Sequence, residues 1–167
     1  MIDLWERVSP IFTAVDGAQP EISVENISAG AMRYLINHVL HQSKSLDAGL
    51  RGVQPPHPEV MVTLPDAVAE VVLQGLVLGP LIVETRVDGY TLPTIGLFFL
   101  DTDALFISYQ MGEHWTPLSV MALFELFRMI KTNDSDVRIR LSREHFNGSW
   151  RVQFDTALRD YLAERVG

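Results

Sequence analysis

The segment that follows Thr116 constrains the fold of this 167-residue chain more than any other segment. In residues 118–130, LSVMALFELFRMI, apolar side chains occupy nearly every position. The polar side chains form one narrow stripe: Ser119, Glu125 and Arg128. Because Thr116 can cap a helix and Pro117 has no amide hydrogen to lose there, the sequence predicts a helix from Pro117 to Lys131. Such a helix must be covered on nearly every side, either by the sheet and the N-terminal helices or by a second subunit.

The composition indicates one folded domain, residues 1–167, and argues against several functions. Hydrophobic residues make up 47% of the chain and charged residues 20%, which is ordinary for a globular protein. The 21 acidic residues outnumber the 13 Lys and Arg residues, and because the net charge of -8 opposes phosphate binding, we expect no nucleic-acid partner. The absence of cysteine excludes disulfides, thiolate metal sites and a cysteine nucleophile.

The expected location is the cytoplasm, without a membrane partner. The start of the chain, MIDLWERVSPIF, lacks the basic and then apolar pattern of a secretory signal. No apolar run reaches the length of about 20 residues that spans a bilayer. Four residues interrupt the candidate region: Gly79, Pro80, Glu84 and Arg86.

Residues 1–58 are predicted to form a helical N-terminal part. Apolar residues recur at helical spacing in residues 4–15, and they occupy one side of a predicted helix in residues 28–46. The three prolines of GVQPPHPE, residues 52–59, predict an extended connection. Periodicity does not decide whether the segment that follows, up to residue 80, contains a helix started by a proline or a buried strand.

Residues 59–167 are predicted to form a sheet-containing core. LIVETRV, TIGLFFL and ALFISYQM read as three antiparallel strands. Near the end of the chain, VRIRLSREHFNGSWRVQFD has two alternating runs around Asn147-Gly148, which predicts a two-residue hairpin and a final helix starting at Asp155 or Thr156. The hairpin register pairs Arg140 with Asp155 and Arg151 with Glu144, which neutralises two of its arginines. The expected fold class is α+β, with a mostly antiparallel sheet of about five strands and packed helices.

The polar residues do not form a recognisable catalytic or metal-binding motif. His38 and His41 lie three positions apart on the second predicted helix, but no third ligand accompanies them. Glu113 and His114 could act as an acid and a base, although no nucleophile motif supports them. Since Trp115 follows directly, we interpret these residues as a turn that Trp115 closes before the capped helix. We predict no catalytic residue, no metal site and no cofactor.

From about residue 66 the order of predicted elements is an uncertain helix, three strands, a long apolar helix, a hairpin and a final helix. This order, the acidity and the apolar helix after GEHWTP resemble the class I type III secretion chaperones. The resemblance implies a non-enzymatic homodimer that binds an extended segment of a client protein, with the apolar helix at the two-fold interface. It also implies that apolar side chains of the strands contact the client, and the positions of interest are Phe98, Phe106, Tyr109 and Trp115.

We therefore predict a non-enzymatic protein-binding module, chaperone-like or regulatory, whose partner is another protein or a second copy of itself. One alternative is a small-molecule-binding or hydrolytic domain that uses Glu113, His114 and Tyr109. The other is an immunity-type inhibitor whose acidic surface covers a basic toxin, which the net charge fits equally well.

Overall fold

The computed structural model of the protein describes residues 3–14, 19–43, 45–48, 51–52, 65–142 and 148–166. Five helices lie in these ranges: α1 (Leu4–Thr13), α2 (Ala29–His41), α3 (Pro65–Leu73), α4 (Pro117–Asn133) and α5 (Gly148–Val166). The first five strands are β1 (Glu21–Glu25), β2 (Ser45–Ala48), β3 (Arg51–Gly52), β4 (Val77–Leu78) and β5 (Leu81–Glu84). The remaining strands are β6 (Arg86–Val87), β7 (Tyr90–Thr91), β8 (Ile95–Asp101), β9 (Ala104–Tyr109) and β10 (Arg138–Leu141).

An antiparallel sheet with the strand order β10-β1-β9-β8-β5-β2 forms the centre of the fold, which confirms the α+β class. Alternate side chains of β9 show which face is buried, since Leu105, Ile107 and Tyr109 pack in the core while Phe106 and Ser108 on the opposite face are only half-buried. Two short ribbons, β3 with β4 and β6 with β7, complete the strands of the described ranges. None of the helices in those ranges is both long and apolar enough to cross a lipid bilayer.

Strand β1 corrects the division of the chain at residue 58. It lies inside the part expected to be helical, yet it pairs with β9 on one side and with β10 on the other. Ile22 and Val24 alternate with polar residues and are fully buried, which is the pattern of a strand with one face in the core. The pattern covers only five residues, so its assignment depends on the two neighbours that pair with it.

The final hairpin predicted around Asn147-Gly148 is wrong. Asn147 lies outside the described residues, and Gly148 is the first residue of α5. The residues expected to form the second strand, and the proposed helix start at Asp155 or Thr156, all lie inside this helix. β10 pairs with β1 instead. The apolar residues of α5 recur at helical spacing and pack on the core: Trp150, Phe154, Ala157, Leu158 and Tyr161.

The capped start predicted for α4 is confirmed. The Ser119 amide donates to Thr116 Oγ1 at 3.2 Å, and the Thr116 amide donates to Ser119 Oγ at 2.8 Å. This reciprocal pair satisfies orphan amides of the first turn, and Pro117 at the first helical position has no amide to satisfy. The helix runs to Asn133, two residues beyond the predicted end at Lys131.

The apolar surface of α4 is covered within one chain. The helix contacts α1, α2, α5, β6 and β7. Phe124 and Phe127 are fully buried, and both rings pack against Phe154 of α5 at centroid distances of 5.6 and 6.1 Å. The sequence allows α4 to be covered either by the same chain or by a second subunit. The structure shows that the same chain covers most of its apolar surface. The first turn is the exception, because Leu118 is 54% exposed.

Replacing Phe127 by Ala is expected to lower the free energy of unfolding by about 3–5 kcal/mol, because it removes a fully buried ring and leaves a cavity in the core. Val152→Ala is the control. Val152 is 65% exposed on α5, so the change should stay within about 0.5 kcal/mol. Urea denaturation followed by circular dichroism measures both. Similar small losses for the two variants would contradict the enclosure of α4.

Candidate functional site

Trp115 lies in the core and is only 2% exposed. Its indole Nε1 donates to the Gln110 carbonyl at 2.9 Å, and its ring lies 4.8 Å from the Phe12 ring and 5.4 Å from the Tyr109 ring. The indole thus closes the core where the turn meets α4. In this position Trp115 is not available as an exposed anchor for a partner.

The structure does not bring Tyr109 together with Glu113 and His114. The Tyr109 hydroxyl points into the core and donates to the Ile11 carbonyl at 3.1 Å, and burial raises its pKa. Glu113 and His114 are exposed, and His114 Nε2 lies 2.9 Å from the Gln110 carbonyl oxygen. A hydrolytic site that needs these side chains to converge has no support in this arrangement.

Phe98 and Phe106 are brought together, since they are directly opposite each other in β8 and β9. Both are half-buried on the sheet face that points away from the core. The Phe98 ring lies close over Gly96, where a Cβ atom would come within 3.0 Å of the ring. The close approach of the ring therefore favours glycine at this position.

His38 and His41 lie on α2, as expected, but in different surroundings. The His38 ring stacks on Tyr34 at 6.0 Å and is half-buried, while His41 is exposed. Burial lowers the pKa of His38, although a hydrogen bond to the Arg86 backbone and the charge of Asp88 act in the opposite direction. Among the described residues, no three His, Asp or Glu side chains are grouped to hold a metal ion.

A groove of about 770 Å³ lies between α1, α4 and α5. The apolar part of its lining comes from all three helices: Leu4, Trp5, Pro117, Leu118, Met121 and Ala157. The groove lies where the first turn of α4 is left uncovered, because α1 and α5 flank Leu118 and Met121 without closing over them. Leu118 at 54% and Arg165 at 52% exposure show that the recess is open to solvent.

The groove also has a charged rim: Asp3, Arg7, Asp160, Glu164 and Arg165. Arg7 of α1 donates to Asp160 of α5 at 2.8 Å, which joins the two walls. This hydrogen bond, together with the Arg159 and Arg7 charges, outweighs desolvation and lowers the pKa of Asp160. Asp3 and Glu164 have no ion pair within the described part of the chain, so the rim carries unpaired negative charge.

Beneath the rim, Glu125 of α4 holds the groove side of α5. This carboxylate is only 2% exposed; it accepts from Arg128 Nε at 2.6 Å and from the Tyr161 hydroxyl. Arg165 Nε lies 3.5 Å from Glu125 Oε1, and the Arg165 guanidinium lies 5.6 Å from the centre of the Tyr161 ring. Because both oxygens of the buried carboxylate have donors, its burial is compensated.

The pKa of Glu125 is set by opposing effects. Burial alone raises it, but the hydrogen bonds from Tyr161 and Arg128 and the charges of Arg128 and Arg165 outweigh burial, so the pKa lies below its ordinary value. The pKa of Tyr161 is raised by burial and by its hydrogen bond to Glu125. Glu125 is therefore a charged structural anchor at neutral pH, and Tyr161 keeps its proton.

The lining combines an apolar strip with charged side chains. The groove lining includes no Ser, Thr, Cys or His that could act as a nucleophile or as a base at neutral pH. The Asp160 carboxylate is paired with Arg7 and joins two of the walls. An apolar strip beside unpaired acids can hold an apolar side chain that has a basic group next to it.

No protein-family model, curated protein or solved structure matches the chain. The sequence predicts the apolar helix that starts at Pro117 but does not indicate the groove. Leu118 and Met121 belong to the continuous apolar pattern of the helix, so nothing in the sequence marks them as exposed. The groove walls, residues 3–7 and 157–165, come next to them only when the chain folds. The one local signal was that the helix starting at Pro117 is apolar on too many sides to be covered completely.

Glu125→Gln is expected to destabilise the protein by about 1–3 kcal/mol at pH 7, because it removes a charged acceptor for Arg128 and Tyr161. Since folding lowers the pKa of Glu125, its stabilisation is present above the ordinary glutamate pKa of about 4.3 and is lost as pH falls through the lower folded pKa. Urea denaturation at pH 7 and near pH 3 should therefore show a difference from wild type that shrinks in acid.

Glu164→Gln removes the same charge from an exposed position on α5 and controls for net charge. A difference between wild type and Glu125→Gln that is equal at the two pH values would rule out the charged anchor.

Proposed function

We propose that this protein is a non-enzymatic protein-binding module whose groove holds an apolar segment of a partner protein. The observation that carries the proposal is the uncovered first turn of α4. The helix is buried or half-buried from Ser119 to Ile130, yet Leu118 at its start is 54% exposed beside the half-buried Met121 and Trp5. Apolar side chains left open in a recess are a common feature of partner-binding sites, and Trp is enriched among residues that contribute most to binding.

The shape of the groove favours a protein segment over a small molecule. Small-molecule sites enclose most of their ligand's surface. In this groove, residues on two walls, Leu118 and Arg165, are each about half exposed, so the recess is open to solvent at both walls. An amphipathic helix or an extended segment laid along an open groove covers such a surface.

The charges favour a partner segment with basic residues. Asp3 and Glu164 on the rim make no ion pair within the described ranges, and the whole chain carries a net charge of -8. A lysine or arginine next to the apolar side chain would meet these carboxylates and would be attracted by the overall field.

This proposal keeps the chaperone-like or regulatory role but changes the expected contacts. Trp115 and Tyr109 are buried, and Phe98 and Phe106 lie on the outer face of the sheet, away from α4. Leu118, Met121 and Trp5 take their place as the apolar contacts. A second copy of the chain is the competing occupant, because the resemblance to secretion chaperones implies a homodimer through the same helix.

The probe is a labelled peptide of 14 residues with leucines at helical spacing and lysines elsewhere, measured by fluorescence anisotropy. Leu118→Asp is expected to weaken binding by about tenfold, equivalent to roughly 1.4 kcal/mol, because it removes the apolar contact. Leu76→Asp is the matched control, since Leu76 is also 54% exposed and the substitution adds the same charge. A peptide with glutamate in place of lysine should bind more weakly than the basic peptide.

Equal losses for Leu118→Asp and Leu76→Asp, or tight binding of the acidic peptide, would refute the groove as the site. Sedimentation analysis of the unliganded protein tests the competing occupant. A dimer that Leu118→Asp dissociates and Leu76→Asp preserves would assign the groove to a second copy instead of a partner.

A further inference from the structure

Within the described ranges, strand β10 lies at the edge of the sheet and pairs with β1 alone. The Ser142 amide donates to the Glu21 carbonyl at 2.8 Å, which makes this a hydrogen-bonded pair. In an antiparallel ladder such pairs recur at every second residue, so Arg140 and Arg138 also direct their backbone groups to β1. The backbone groups of Ile139 and Leu141 therefore face the open side.

Two side chains occupy the carbonyl groups at the ends of this open side. Arg151 Nε donates to the Leu141 carbonyl at 3.1 Å, and Lys131 Nζ donates to the Val137 carbonyl at 2.8 Å. Between them, the amide and the carbonyl of Ile139 have no partner among the described residues. A donor and an acceptor that lie side by side on an open edge can pair with one residue of an added strand.

A recess of about 360 Å³ lies along this edge, between β10 and α5. Ile139, Leu158 and Leu162 supply its apolar surface. Four basic residues line the same recess, against the single acid Asp155: Lys131, Arg138, Arg140 and Arg159. In a chain with a net charge of -8, this recess is locally basic.

The arginines of β10 are available because the predicted hairpin does not form. Asp155, expected opposite Arg140, is on α5, and no ion pair of Arg138 or Arg140 occurs in the described part of the molecule. Glu25 is the register partner of Arg138 but makes no ion pair with it within 4.0 Å. Arg159 shares Asp160 with Arg7, and Lys131 donates to main-chain carbonyls and has no ion pair among the described residues.

We propose that this edge binds an extended acidic segment of a partner protein as an added strand. Its backbone pairs with Ile139, and its side chains alternate between the two faces. Carboxylates on one face meet Arg138 and Arg140, and apolar side chains on the other meet Leu158 and Leu162. A second copy of β10 is the poorer occupant, since it would place the arginines of two strands together. The site is separate from the groove and goes beyond the function proposed above.

The probe is a labelled, capped peptide of alternating glutamate and valine, with a lysine and valine peptide as its counterpart. Arg140→Glu is expected to weaken binding of the acidic peptide by about tenfold or more and to create binding of the basic peptide. Arg86→Glu is the matched control, because Arg86 is also an exposed strand arginine without an ion pair in the described residues. Circular dichroism confirms that both variants are folded.

Hydrogen exchange distinguishes strand addition from a general attraction between charges, because charge attraction alone would not protect a backbone amide. Binding of the acidic peptide should slow exchange of the Ile139 amide, which has no partner among the described residues. Unchanged exchange at Ile139, or equal losses of binding for Arg140→Glu and Arg86→Glu, would overturn the proposal and leave only a general attraction between charges. A self-associated protein in which Ile139 is already protected would assign the edge to a second copy and equally overturn it.

Discussion

The burial of α4 is the constraint on which the rest of the structure depends. Nine of its residues are buried, and burying one large apolar side chain stabilises a fold by about 1.5–3 kcal/mol. No single neighbour could cover such a helix, so α1, α2, α5 and the β6–β7 ribbon all pack on it. The cover is incomplete on one side of the first turn, where α1 and α5 flank Leu118 and leave it 54% exposed, and this gap is the groove.

The polar residues inside this apolar shell are held by specific partners. The buried Glu125 carboxylate accepts hydrogen bonds from Arg128 and Tyr161 and forms an ion pair with Arg165. Tyr161 and Arg165 belong to α5. The buried carboxylate therefore fixes the position of α5 relative to α4, and the Arg7–Asp160 pair ties the same helix to α1. Loss of one partner would leave the buried carboxylate with fewer donors, which is why this network is costly to break.

Helix α5 separates the two proposed binding surfaces. Asp160 and Glu164 face the groove, whereas Leu158 and Leu162 face the recess beside β10. The groove combines apolar side chains with unpaired acids, and the recess combines apolar side chains with unpaired arginines. The two surfaces thus suit segments of opposite charge, and substitutions in one leave the residues of the other unchanged.

Sequence patterns were sufficient where the structure is decided by residues close together in the chain. The start of α4 follows from hydrogen bonds between Thr116 and Ser119, three positions apart, and β8 and β9 follow from the apolar run within each strand. Tertiary structure decided the rest. β10 pairs with β1, more than 110 positions away, and α5 forms in place of a local hairpin because its apolar residues pack on α4. The groove belongs to this second group: its walls come from residues 3–7, 117–121 and 157–165, which folding alone brings together.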